Sequence, residues 1–231
     1  ETFTLITYDE YWQATKYPWH LLSVTDLLFK DLKEHRGKDV DISAKATVNG
    51  PVVFESGVKV LENAVISGPA YIGANTVIGN GALVRQSHVG CDCVVGFSTE
   101  IARSYVGDGC WFHSNYVGDS VLESNISLGA GTVLANFRLD EGEISSMVEG
   151  IKIMTGRHKL GSIIGKDVRI GINSSLMPGV KIGEGSFIGA GVMLDQDVLA
   201  GSFARVKSRL TVTPNRARLA KAMRDSLKKS F

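Results

Sequence analysis

A repeat of six residues constrains this chain more than any other feature of its sequence. From Ile164 to Leu194 every sixth residue is Ile or Leu, and the fourth residue after each is small or β-branched. A second run with the same spacing extends from Val60 to Val84. A helix repeats every 3.6 residues and a strand every two, so neither alone explains the spacing. We therefore predict a parallel β-helix, in which each repeat supplies one short strand and one turn.

The repeat continues between the two runs with some five-residue steps, so we predict one all-β domain over residues 40–204. At three repeats per coil, this length corresponds to about seven or eight coils of roughly 18 residues. Cys93 and Cys110 each lie four residues after a large apolar residue, which is the inward position for small side chains. We expect both cysteines to fill the core, and three cysteines in 231 residues exclude a disulfide scaffold.

Two further segments flank this domain. Residues 1–39 are predicted to be a linker with a helix at 18–34, because Pro18 suits a first turn. Its apolar stripe is formed by Leu21, Leu22, Leu28 and Leu32. Residues 205–231 hold nine Lys or Arg and one acidic residue, and they are predicted to form a basic tail helix. Such a tail is either a solvated helix face or a contact for an anion such as a nucleotide phosphate.

Residues 136–160 break the repeat and are predicted to leave the β-helix as an excursion loop. Within them Ile144–Val148 and Ile151–Met154 flank Glu149-Gly150, which is typical of a small hairpin. Long excursions from a rigid scaffold often carry function. The whole chain shows no long apolar run and no signal peptide, which predicts a cytoplasmic protein without a membrane partner. We expect no nucleic-acid partner either.

Two motifs distinguish this sequence from other sequences with a six-residue repeat. They are Phe-His-Ser-Asn-Tyr-Val-Gly-Asp-Ser at 112–120 and Leu-Gly-Ala-Gly-Thr-Val-Leu-Ala-Asn at 128–136. Both resemble the acetyltransferase half of bifunctional sugar-1-phosphate nucleotidyltransferase/acetyltransferases. The stretches 155–161 and 174–180 resemble the archaeal-type branch of that family, and residues 11–22 resemble the end of its nucleotidyltransferase half.

This resemblance implies a left-handed β-helix that assembles as a homotrimer. It also implies acetyl transfer from acetyl-CoA to an amino-sugar 1-phosphate, glucosamine 1-phosphate or galactosamine 1-phosphate, in UDP-amino-sugar synthesis. Mg²⁺ would serve only a nucleotidyltransferase half, and we expect no metal in the part of the chain at hand.

The resemblance assigns His113 as the catalytic general base. An attacking amine must lose a proton, and a neutral imidazole accepts one near pH 7. His113 directly follows the large apolar residue Phe112, so we expect it at a turn, facing out of the coil and beside Gly129 in the next coil. A backbone N–H of Gly129 or Ala130 is the candidate donor to the oxyanion.

The resemblance assigns two further sets of residues. Substrate-binding positions are Arg85, Tyr116 and Asn136, of which the guanidinium suits a phosphate. Cofactor-binding positions along the CoA groove are Ala130, Ala190, Arg205 and Lys207.

The chain departs from the family pattern at several positions. The family carries Lys where this chain has Ala102 and on the loop that here reads Gly142-Glu143, and it carries a metal-binding Asp where Gln13 stands. These departures favour a second hypothesis, a non-catalytic β-helix domain that oligomerises or regulates a sugar nucleotidyltransferase. His113 with Tyr116 and Asn136 favours the enzyme. A zinc site on His88 and His113 would need a third converging histidine, and the sequence shows no His-x4-His pair to supply one.

Overall fold

The six-residue repeats fold into short strands separated by turns, and the strands stack into three parallel sheets. A computed structural model describes residues 3–207 and 211–216. The sheets are the three faces of a prism, and the chain passes from the first face to the second and the third in every coil. This is the hexapeptide-repeat solenoid predicted above, and a left-handed β-helix fits it.

The bounds of the strands follow the order of the coils. The first face consists of His35–Arg36, Val52–Phe54, Ala70–Ile72, His88–Val89, Tyr105–Val106, Val121–Leu122, Ile163–Ile164 and Lys181–Ile182. The second face consists of Asp41–Ile42, Lys59–Val60, Val77–Ile78, Val94–Val95, Trp111–Phe112, Ser127–Leu128, Arg169–Ile170, Phe187–Ile188 and Phe203–Ala204. The third face consists of Thr47–Asn49, Val65–Ser67, Leu83–Arg85, Glu100–Ala102, Tyr116–Gly118, Val133–Leu134, Ser175–Leu176 and Met193–Leu194.

The large apolar residue of each repeat lies inside the prism, in register with its counterparts above and below. Phe112, for example, pairs with Val95 in one neighbouring coil and with Leu128 in the other, and all three are buried. Each fully buried side chain of this size stabilises the fold by about 1.5–3 kcal/mol. The second face has nine strands, one or two more than the predicted coils, because pairing begins at His35 and ends at Ala204.

Many of the turns between faces need a residue with positive φ, and the sequence supplies Asn or Asp at several of them. Asn63, Asn75, Asp92, Asn125 and Asn173 have φ between 54° and 61°. Asn and Asp tolerate this left-handed conformation because their short polar side chains form local hydrogen bonds. The corners of the prism are therefore encoded locally, one residue at a time.

Helix α1 spans His20–Phe29 and is shorter than the predicted helix at 18–34. Its buried positions are Leu22, Thr25 and Phe29, whereas Leu28 of the predicted stripe is 67% exposed. Leu32 lies beyond the end of the helix. Trp19, directly before the helix, is buried as well.

The excursion loop folds as predicted into a hairpin, with strands Ile144–Val148 and Ile151–Arg157. Both turn residues, Glu149 and Gly150, have positive φ, as a two-residue hairpin turn requires. Ile144 packs in one apolar cluster with Trp19 and Leu22 of the helix region and with Val121 and Ile163 of the first face. The excursion is therefore attached to the β-helix along the side that α1 covers.

The termini give less regular structure. Residues 3–17, which include the stretch compared with a nucleotidyltransferase half, form no helix or strand, and Trp12 is exposed. Of the predicted tail helix, 205–207 and 211–216 are irregular, whereas 208–210 and 217–231 lie outside the described residues. Within the described ranges no helix has the length and apolar character that a membrane span needs.

Candidate active site

His113 lies at the turn between the second and third faces, which we call the His113 corner. Its side chain is exposed, as predicted, because the preceding Phe112 points inward. Its backbone N–H donates to Oδ1 of Asn115, whose Nδ2 donates to the carbonyl of Gly129 at 2.8 Å in the next coil. The backbone that carries the imidazole is thus fixed to its neighbour, while the ring itself forms no hydrogen bond within the described residues.

Three of the four predicted cofactor-binding residues lie along the same corner. Gly129, Gly171, Gly189 and Arg205 follow inward residues that are in register with Phe112, so they form one column with His113. Ala130 and Ala190 stand one position further on in their coils. Four coil steps separate His113 from Arg205, roughly 19 Å at about 4.8 Å per step.

Glycine keeps the middle of this column free of side chains. A Cβ on Gly129 would lie 2.7 Å from the backbone nitrogen of Ile172, and one on Gly171 would lie 2.5 Å from that of Ala190. Side chains at these two positions would force neighbouring coils apart. The column is therefore a strip of bare backbone that begins at an imidazole and ends at a guanidinium.

Of the two backbone N–H groups predicted as donors to the oxyanion, only one is free of a hydrogen bond in the described part of the chain. The N–H of Gly129 donates to the carbonyl of Ile170 at 2.8 Å and is used in the stacking of coils. This bond removes Gly129 from consideration. The N–H of Ala130 has no partner among the described residues, and Ala130 is exposed. Ala130 is thus the remaining candidate donor beside His113.

Arg205 and Lys207 are both exposed at the far end of the strip. The guanidinium of Arg205 lies 5.5 Å from the ring centre of Phe203, a cation–π contact that holds it against the second face. Within the described residues neither side chain forms an ion pair. Both charges are therefore available to an anionic ligand.

Tyr116 and Asn136 meet elsewhere, at the turn between the third and first faces, which we call the Asp119 corner. Asp119 is buried there, and it accepts bonds from Nε and Nη2 of Arg103 at 2.8 and 2.7 Å. Nδ2 of Asn136 donates to Oδ2 of the same carboxylate at 2.5 Å. Tyr116 leans toward this cluster, because its Oη would lie 2.6 Å from a Cβ on Gly118.

Arg85 stands on the outer surface of the third face, next to this cluster. Its Nε and Nη2 donate to Oε1 of Glu100 at 3.0 and 2.6 Å, which leaves three of its five N–H donors for a ligand. Ala102, where the family has Lys, lies between Arg85 and Gly118 in register and is completely buried. Arg103 does not replace the missing Lys, since Asp119 holds it at the corner.

The structure therefore brings Tyr116 and Asn136 together but places His113 at a different corner of the same chain. It also adds Asp119, Arg103 and Glu100, to which the sequence assigned no role. Asp119 belongs to the motif at 112–120, and a polar residue directly after a strand is the signal that could have identified it.

The other histidine and cysteine candidates are core or surface packing. The ring of His88 stacks between Tyr71 and Tyr105 on the first face, with centroids 4.8 and 4.5 Å away, and burial lowers its pKa. His88 and His113 thus lie on different parts of the prism. Cys93 and Cys110 are buried, as predicted, and a hydrogen bond between them raises the pKa of Cys93.

The sequence is similar to one protein family and to several known proteins. The family described as bacterial transferase hexapeptide (six repeats) matches residues 51–86 and 161–196. The chain is 34% identical over 207 residues to a bifunctional sugar-1-phosphate nucleotidylyltransferase/acetyltransferase from Sulfurisphaera tokodaii, covering 87% of this chain and 51% of the relative. It is 37% identical over 225 residues to the bifunctional protein GlmU of Methanococcus maripaludis, covering 89% and 50%. The chain thus spans about half the length of these relatives.

Among solved structures, a UDP-N-acetylglucosamine acyltransferase from Campylobacter jejuni matches 83% of this chain and 81% of its own. Its sequence identity is 17% and its TM-score is 0.47.

Proposed function

We propose that this chain is an acetyl-CoA-dependent N-acetyltransferase. Its similarity to the bacterial transferase hexapeptide family and to the acetyltransferase half of bifunctional sugar-1-phosphate nucleotidylyltransferase/acetyltransferases supports this proposal. The acceptor is an amino-sugar 1-phosphate, and the product serves the synthesis of UDP-amino sugars in the cytoplasm. Mg²⁺ has no part in this reaction and would serve only a nucleotidyltransferase half.

One observation carries the proposal: an exposed histidine heads a bare backbone strip that ends at Arg205 and Lys207. An extended thioester with a phosphorylated end suits such a strip, with its phosphates at the cationic end. The thioester carbon then lies near His113 and the free N–H of Ala130. The amine attacks that carbon and His113 accepts the amine proton. The C–S bond then breaks, and the same proton passes from His113 to the sulfur, so that CoA leaves as the thiol.

The acceptor is proposed to lie on the third face, between the two corners. Arg85 offers its remaining N–H donors to the sugar phosphate, and Tyr116 and Asn136 contact the sugar. Because these groups and His113 lie at different corners of one chain, a complete site requires a second copy. We therefore propose a homotrimer in which the His113 corner of one subunit meets the third face of its neighbour. Light scattering at micromolar concentration should give three times the mass of one chain, and a monomer would contradict this assembly.

The alternative is a non-catalytic β-helix domain that oligomerises or regulates a nucleotidyltransferase. Glu143 favours it, because on the loop where the family has Lys it carries a negative charge and accepts a hydrogen bond from the N–H of Gly156 at 2.6 Å. Ala102 favours it as well, since an alanine paired with Arg85 supplies no positive charge.

Release of free thiol from acetyl-CoA separates the two. We expect turnover with glucosamine 1-phosphate or galactosamine 1-phosphate and none with N-acetylglucosamine 1-phosphate, whose amine is already acetylated. For the variant His113→Ala the matched control is His35→Ala, which removes another exposed histidine, on the first coil, and should leave turnover unchanged. Absence of turnover with every amino-sugar phosphate, in a protein that is folded and assembled, would favour the non-catalytic domain.

A further inference from the structure

Asp119 is the centre of the polar cluster between the third and first faces. Its side chain is 5% exposed, and it accepts hydrogen bonds from both Arg103 and Asn136. A buried carboxylate is costly in free energy unless it is paired and fully hydrogen-bonded. Asp119 therefore requires Arg103 and Asn136 to keep these positions. The bonds to Asp119, assisted by Tyr116, raise the pKa of Arg103 above its ordinary value.

The charge of Asp119 determines which way the Asn136 amide faces. An ionised carboxylate only accepts hydrogen bonds, so the atom of Asn136 that approaches it must be the nitrogen. Oδ1 of Asn136 therefore faces away from Asp119, and it has no partner among the described residues. Asn136 is half-buried, so this oxygen remains accessible as an acceptor of N–H or O–H groups.

The Tyr116 hydroxyl lies next to the same cluster. Nδ2 of Asn136 and Oη of Tyr116 both lie 2.6 Å from the place that a Cβ on Gly118 would occupy. They are consequently no more than twice that distance apart. Gly118 therefore leaves room for the phenol ring beside the Asn136 amide.

The backbone of Asp119 joins this cluster to the excursion loop. Its carbonyl accepts from the N–H of Gly161 at 2.8 Å, and the N–H of Leu160 donates to the carbonyl of Asn136 at 3.0 Å. Asn136 and Gly161 stand at the two ends of the excursion. One residue thus holds the start of the loop by its side chain and the end of the loop by its backbone.

We propose that Asp119 is a positioning residue for the acceptor sugar: its carboxylate orients the Asn136 amide, beside the Tyr116 hydroxyl, so that Oδ1 of the amide faces the substrate. This inference rests on the proposed function. It assigns Asp119 an effect on acceptor binding that acts through Asn136 and leaves acetyl-CoA, at the other corner, unaffected.

The test is Asp119→Asn, which keeps the shape of the side chain and tolerates the positive φ of 47° at this position. The new amide no longer imposes one orientation on Asn136. Misplaced polar groups typically cost up to about 10²-fold, so we expect the KM for the amino-sugar phosphate to rise by about 10- to 100-fold. The KM for acetyl-CoA should stay the same. A purely structural defect would lower the active fraction and change neither KM.

A double-mutant cycle tests whether Asp119 acts through Asn136. In an Asn136→Ala background, Asp119→Asn should add little to the acceptor KM, because the group that it orients is absent. The matched control is Asp140→Asn, which breaks another Arg–Asp pair, with Arg138 on the same loop but exposed to solvent. That control should leave both KM values unchanged.

A second variant covers the case in which Asp119→Asn does not fold. Asn136→Asp places two carboxyl groups together, which share one proton as the pH falls. The protonated carboxyl can donate to Asp119 and present its other oxygen to the sugar, so acceptor affinity should improve toward low pH. An unchanged acceptor KM in Asp119→Asn, full additivity in the cycle, or pH-independent affinity in Asn136→Asp would each overturn the positioning role. A parent protein without turnover would overturn the proposed function together with it.

Discussion

The two corners that flank the third face are built in opposite ways. At the His113 corner the polar side chains point inward, where Asn115, Thr132 and Ser174 hydrogen-bond to backbone carbonyls. The outer surface there is mainly glycine, with the free imidazole of His113 at one end and Arg205 at the other. At the Asp119 corner Arg103 and Asn136 both donate hydrogen bonds to Asp119.

This difference matches what each corner would have to do. A base that accepts and releases a proton must not be held by strong permanent partners, so a bare backbone with a free side chain suits it. Groups that recognise a sugar gain from being fixed before the ligand arrives, so a bonded network suits them. The comparison predicts that substitutions at the two corners will fail in different ways.

The largest effect is expected for His113→Ala. Loss of a general base lowers turnover by about 10²- to 10⁴-fold, while the fold should persist because the side chain is outside the core. Steady-state thiol release and a thermal melt measure the two quantities. If the variant keeps its rate, another group is the base, and His158 on the excursion loop is the next candidate.

A pair of glycine substitutions contrasts the corners directly. In Gly129→Ala the new Cβ meets backbone of the next coil, which cannot yield, so we expect a loss of about 1–3 kcal/mol in the free energy of unfolding. In Gly118→Ala it meets the mobile ends of Tyr116 and Asn136. We expect a smaller stability loss there but a raised KM for the acceptor. Urea unfolding and steady-state kinetics measure both, and equal stability losses would remove the distinction.

The charged end of the His113 corner provides the next test. Reversing both charges in Arg205→Glu/Lys207→Glu should weaken CoA binding by about tenfold, or roughly 1.4 kcal/mol. The affinity of the parent should fall with salt more steeply than that of the variant, because exposed charges are screened over about 8–10 Å. Calorimetry at two salt concentrations measures this. Equal affinity in both proteins would show that backbone alone holds the ligand.

The smallest expected effect is a difference in stability loss between alanine substitutions of two serines inside the Asp119 corner. Ser104 Oγ donates to the carbonyl of Ala102 at 2.9 Å and accepts from the N–H of Ser120 at 3.0 Å. Ser162 continues the same stack, but its hydroxyl is buried without a partner in the described part of the chain. Ser104→Ala should cost about 1 kcal/mol and Ser162→Ala nothing, since only the former breaks hydrogen bonds. A larger loss for Ser162→Ala in urea unfolding would reveal a partner for its hydroxyl.

The sequence by itself determined the coil and everything that follows from its period. Phe112 had to point inward, so His113 had to point outward, and Gly129 had to be its neighbour in the next coil. The hairpin at Glu149-Gly150 was equally local, because two residues with positive φ define its turn. Such features depend on near neighbours in the chain or on a fixed repeat, and both can be read from residue order.

Only the tertiary structure decided which groups remain free. The N–H of Gly129 is used by Ile170, 41 residues later, across an excursion whose length no repeat specifies. Leu22 of α1 is buried because it packs with Trp19 against residues of the hairpin and the first face. The Arg103–Asp119–Asn136 cluster joins three coils, and hydrogen-bond geometry of this kind arises only when the coils are stacked. Local pattern thus located His113, whereas long-range contacts decided what surrounds it.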